Sequence, residues 1–189
     1  MKAFWISTLA LASIVCVIAQ DVPPPPPMRG DAASLKDTMK FIQDKLPGKV
    51  NYIVYGHDNV TGVDGTGKRS FEVNNVSADA GLCSIRFHSR FDNGKNANNV
   101  ADRDDEIFLK QVREITLMTM DQVVQRADAK AGHPERSNKV DPPIFLVVIH
   151  WGEHRAMMFN FYDETMSDRV SKALQHAVDL CGGGSQEPF

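Results

Sequence analysis

The run His150-Trp151-Gly152-Glu153-His154 carries the residue types of a zinc peptidase in the order H-x-x-E-H. In that chemistry two imidazoles one helical turn apart chelate the metal and a distant carboxylate completes the ligand set. The glutamate takes a proton from the bound water. His150 and His154 would be the metal ligands, Glu153 the base and zinc the cofactor. The spacing works only on a helix. Here the motif lies between two β-like runs, Ile144–Ile149 and Ala156–Phe161, with Gly152 at its centre, which is the pattern of a hairpin turn. The context therefore favours strand, turn and strand, with no catalytic residue and no cofactor. Metal-dependent hydrolysis through His150, Glu153 and His154 is the alternative.

A second chemical pattern, Gly62-Val63-Asp64-Gly65-Thr66-Gly67-Lys68, has the spacing of a phosphate-binding loop. Such a loop needs a Ser or Thr after the lysine to hold magnesium, and a helix whose N-terminus faces the phosphates. This chain has Arg69 there and then the strand-like Phe71-Glu72-Val73, so the segment reads as a glycine-rich hairpin loop. His57, His88, His133 and His176 are scattered, and no serine is flanked as a nucleophile elbow. The basic and aromatic run Arg86–Phe91 could stack on a polyanion, but its alternation is met more simply by one apolar and one solvated strand face. Asn59-Val60-Thr61 and Asn75-Val76-Ser77 are glycosylation sequons, relevant only in a eukaryotic secretory route.

The elements that would position these residues can be read in order. Ser34 with Asp37 opens a helix whose Leu35, Met39, Ile42 and Leu46 share one face, and Pro47-Gly48 ends it. Strands follow over 50–55, 70–73 and 82–91. Residues 92–104 and 126–142 are polar and loop-like, and 106–120 reads as strand more readily than helix. The last helix is the plainest element. Met166, Val170, Ala173, Leu174, Ala177, Val178 and Cys181 form its apolar stripe, Thr165 and Asp168 mark its start, and Gly182-Gly183-Gly184 stops it. The fold class is α+β: six to seven mostly antiparallel strands, as a pleckstrin-homology-like barrel or curled sheet. A C-terminal amphipathic helix caps them and an extra helix precedes them.

The termini frame a single domain over 34–184. Lys2 and the apolar run 3–19 form a signal peptide with cleavage expected after Ala19, residues 20–33 with five consecutive prolines form a stiff linker, and 185–189 a short tail. No later stretch is long and apolar enough to span a membrane. With 42% hydrophobic and 24% charged residues and a net charge of −3, the chain is a folded protein without the positive field that nucleic acid requires. Cleavage leaves two cysteines, Cys83 and Cys181. Both lie on apolar faces, which suits one disulfide in an oxidising compartment or two buried thiols.

The run Phe161-Tyr162-Asp163-Glu164, then Arg169-Val170-Ser171-Lys172-Ala173, then His176-Ala177-Val178-Asp179-Leu180-Cys181-Gly182-Gly183, with the ending Glu187-Pro188-Phe189, resembles a C-terminal pattern of exported, mostly uncharacterised bacterial proteins. The resemblance implies a small secreted or periplasmic domain and carries no catalytic residue. The reading is a non-catalytic exported domain that binds a protein or a small molecule. A second alternative is a structural protein of the envelope.

Overall fold

The computed structural model describes residues 33–58, 61, 64–94, 100–134, 136–153 and 155–184. The segments read as signal peptide and tail, nearly all of the one read as linker, Asn59 and His154 lie outside these residues. Within them the class is α+β, with three helices and eight strands in two sheets.

The first helix, α1 (Leu35–Lys45), begins where the Ser34 side chain accepts from the Asp37 amide, and it buries Thr38, Met39 and Ile42. Four strands then meander: β1 (Gly48–Asp58), β2 (Asp64–Asp79), β3 (Ser84–Asp92) and β4 (Val100–Phe108). Every neighbouring pair is antiparallel. A short 3-10 turn at Leu109–Gln111 leads into β5 (Val112–Thr119), followed by the helix α2 (Met120–Lys130) and β6 (Arg136–Asp141). β7 (Phe145–Trp151) and β8 (Arg155–Phe161) form a hairpin, and α3 (Glu164–Leu180) closes the domain. The first sheet has the order β4-β3-β2-β1-β6 and the second β5-β7-β8. No ladder joins them among the described residues, so they do not form a closed barrel.

Packing follows strand alternation. Ile85 and Phe87 point inward from β3, whereas Arg86, His88 and Arg90 point out toward the carboxylates of β4. β7 is covered on both faces, and its Leu146, Val147, Val148 and Ile149 are all buried. The two sheets meet in one core, where Phe87 of β3 stands edge-to-face on Phe159 of β8 with ring centroids 5.1 Å apart. Tyr162, just past β8, ties them at the rim. Its hydroxyl accepts from the Asn51 amide and donates to the Asn51 carbonyl in the part of β1 that β6 leaves unpaired. Cys83 and Cys181 are joined, with Cα atoms 5.9 Å apart, and fasten the turn before β3 to the end of α3. Gly183 then passes so close to the Leu109 carbonyl that a Cβ there would lie 2.2 Å from the oxygen.

Several expectations need correction. The strand count is eight, not six to seven. Residues 92–104 are not all loop, because β4 starts at Val100. Its inner Arg103 and Asp105 neutralise each other and so hide the alternation. Residues 126–142 hold the end of α2 and all of β6. Gly65 and Gly67 are strand residues of β2, paired with Gly56 and Val54. The 106–120 stretch is two strands broken by the 3-10 turn. α3 is capped by Asp163, whose carboxylate accepts from the Met166 amide, and not by Thr165.

Candidate functional site

The inner face of the first sheet is not uniformly apolar. Tyr52 on β1 and Arg69 on β2 are direct cross-strand partners, so their side chains share one face with Val50, Phe71 and Val73. On the next strands Phe71 pairs with Phe91 and Ser89 pairs with Arg103, which extends that face toward β4. α2 lies over this surface. It is anchored to β6 by the Val140 amide, which donates to Asp121 at 2.7 Å, and by Gln125, which donates to the Arg136 carbonyl at 2.9 Å. Its Met120 is buried and its Val123 and Val124 partly so.

Between the sheet, α2 and the outer residues of β8 lies a cleft of about 470 Å³. Its wall is mostly apolar, with Phe71, Phe91, Met120, Val124, Met157 and Met158 among its residues. That volume falls in the range of small-molecule sites, about 300–1,000 Å³.

The polar groups of the cleft are few and unequal. Arg103 is spoken for, its Nε 2.7 Å from Asp105 Oδ2, an oxygen that also accepts from Ser89 at 3.4 Å. Asp128 is held by Asn138 and faces Arg136 at 3.9 Å. Arg69 differs. Its Nε is buried with no hydrogen-bond partner, and it makes no ion pair among the described residues. Beside it Tyr52 is only 4% exposed. Burial pushes the Tyr52 phenol above its usual range, and the Arg69 charge opposes that rise only in part.

The raised phenol predicts a pH effect on stability. A group whose ionisation is suppressed by folding stabilises the native state below its unfolded pKa, here about 10, and loses that contribution as pH rises from there through the folded value. Tyr52→Phe should flatten the fall of stability above about pH 10 and leave the neutral range unchanged in slope, as chemical denaturation at stepped pH will show. An identical alkaline slope in the two proteins would contradict it.

No protein-family model matches the chain, and no curated protein and no solved structure matches it. The site must therefore be judged on its own geometry.

Of the runs singled out in the sequence for their chemistry, only Arg86–Phe91 reaches the cleft, through Ser89 and Phe91, whereas His150 and Glu153 do not line it. His150 sits near the end of β7, opposite Ala156 and Glu114, and Glu153 is exposed in the turn that follows. The segment is a hairpin, so the one-turn helical spacing of a zinc peptidase is not formed by it. His154 lies outside the described residues. His88 lies on the outer face of the first sheet, its Nε2 2.9 Å from Asp102 and its Nδ1 3.0 Å from Asp104. His57 Nδ1 is 2.6 Å from Asp64, and Ser137 stands opposite His57 on β6, but no hydrogen bond joins that serine to the imidazole among the described residues. His57 and Asp64 are 45% and 81% exposed, a solvated pair without the water exclusion that a serine nucleophile requires. Among the described residues no group of three His, Cys, Asp or Glu side chains is arranged to hold a metal.

The sequence patterns single out neither Tyr52 nor most of the apolar wall, and they mark Arg69 only as the residue that breaks the phosphate-loop pattern, although one further signal is there. Two-residue alternation from Val73 through Phe71 places Arg69 on the apolar face, a charge where the pattern calls for a hydrophobe.

Proposed function

We propose that the chain is an exported, non-catalytic binding domain whose small-molecule ligand occupies the cleft between the first sheet, α2 and β8. The observation that carries this reading is the buried, unpartnered Nε of the half-buried Arg69 in a mostly apolar cleft. A buried donor without a partner costs about 1–3 kcal/mol, more when charged, and native structures retain such groups mainly where a ligand, water or ion completes them. Export rests on the leader pattern at 1–19 and on the resemblance of 159–189 to exported bacterial proteins. The pairing of Cys83 with Cys181 suits that route. A four-strand meander, a second small sheet and a closing helix support a pleckstrin-homology-like reading of the domain in the order of its elements.

The test is saturable binding of the fluorescent amphiphile anilinonaphthalene sulfonate to the purified protein. One site is expected, with a cooperative thermal transition that rises as the dye saturates the native protein. Ala127→Trp, which places an indole in the cleft from the exposed side of α2, should abolish that binding while the protein still unfolds cooperatively. Dye binding that survives the indole, or that appears only as the protein unfolds, would overturn the cleft as the site. Fractionation of the producing cells tests export, and retention of the uncleaved chain in the cytoplasm would contradict it.

A further inference from the structure

The chemistry of the cleft narrows what can fill it. Its one uncompensated charge is positive, because the carboxylates on its border already hold other partners: Asp105 has Arg103 and Ser89, and Asp128 has Asn138 and Arg136. Lys68 cannot add a second charge from within, since it alternates with Arg69 and belongs to the opposite face of β2, where it pairs with Ile53. With Arg103 paired to Asp105, the one guanidinium left without an ion pair stands next to a single phenol, which matches a singly charged planar anion. A guanidinium binds a carboxylate through two parallel N–H···O bonds, and a protonated phenol adds a third donor. A phosphate, with a charge near −2, would leave about one negative charge unmatched in an apolar wall. The rest of the cavity offers Phe71, Phe91 and the thioethers of Met120, Met157 and Met158, which suit a hydrocarbon body because methionine adapts its shape.

From this we infer that the ligand is an apolar-bodied monocarboxylate, such as a medium-chain fatty acid, with its head between Arg69 and Tyr52 and its chain against Phe71, Phe91 and Met158. The inference rests on the cleft being the ligand site. Tyr52 stays protonated at neutral pH, so it donates to the carboxylate and does not repel it.

Calorimetric titration of the purified protein with dodecanoate and with dodecanol separates the two claims. Dodecanoate should bind about tenfold more tightly or better, since a charge-assisted hydrogen bond contributes more than a neutral one. Arg69→Met should bring the two affinities together, and Tyr52→Phe should narrow the gap without closing it. Arg69→Met also removes a charge that the free protein leaves unpaired, so its melting temperature without ligand should rise, which distinguishes loss of recognition from loss of fold. Equal affinities in the native protein, or a carboxylate preference that survives Arg69→Met, would overturn the carboxylate assignment and leave the cleft as a binding site. Dye binding without dodecanoate binding would do the same. Failure of dye, acid and alcohol alike would overturn both.

Discussion

Replacing both cysteines of the Cys83–Cys181 bond will lower the stability of the domain by about 2–5 kcal/mol, a large part of the 5–15 kcal/mol that holds a typical domain folded. The bond links positions 98 apart in sequence, so it constrains a loop that holds β3 to α3 in the unfolded chain. Its anchor points decide which replacement is better tolerated. Cys83 has φ of +51°, a left-handed conformation that a side chain disfavours by about 1–2 kcal/mol. That conformation is held by the disulfide and by the Leu109 amide, which donates to the Cys83 carbonyl at 2.8 Å. The partner Cys181 lies at the end of α3, just before Gly183 passes close to the carbonyl of the same Leu109. A Cys83→Gly, Cys181→Ser protein should therefore retain about 1 kcal/mol more than Cys83→Ser, Cys181→Ser, because glycine adopts positive φ freely. Urea unfolding of the three proteins measures both differences. A loss below about 1 kcal/mol in the serine protein would mean that the turn and the helix end hold together without the bond.

The same region shows why parts of the fold were readable from the sequence. The stripe of α3 and the alternation of β3 are dictated by burial on one face only, and both appear where the periodicity places them. Elements were missed where a local rule was masked. α2 carries Met120, Val123, Val124 and Ala127 at helical spacing, and Thr119 with Gln122 forms a complete capping box, so a helix was legible there. The charged residues that surround it mask that pattern. β4 was less legible, because Arg103 and Asp105 point inward at the rim and satisfy each other across two residues of one strand. A pattern of apolar against polar cannot register such a pair.

The candidate site was hidden for a related reason. Arg69 follows a glycine-rich segment that imitates a phosphate-binding loop, and in that pattern it registers only as the absence of a Ser or Thr. What matters is its phase. In β2 it alternates with Ser70 and Glu72 and shares a face with Phe71, and only the pairing of β1 with β2 brings it to Tyr52. The zinc-like run made the opposite impression, since its residue types are right and its backbone is a hairpin. In both cases the element under the side chains decided their chemistry, and the phosphate-loop and zinc motifs were each one structural context short of meaning.

The pair Phe87 and Phe159 tests whether the two sheets act as one body around the cleft. Both rings are almost fully buried, with planes at 68°, and they come from β3 of the first sheet and β8 of the second. Phe159→Ala should cost about 3–5 kcal/mol, and Phe87→Ala a similar amount, because each leaves a cavity that the strands cannot fill. The double variant should cost less than the two together by about 0.5–1.5 kcal/mol, the part of the stabilisation that belongs to the edge-to-face contact. Phe159 is flanked by Met158 and Asn160, which face the cleft, so its removal should also weaken dye binding by loosening that wall. Urea unfolding should remain a single transition for the native protein, since the core that joins the sheets is continuous. Two transitions, with no coupling between the phenylalanines, would mean that the sheets unfold separately. The cleft between them would then be a seam and not a preformed site.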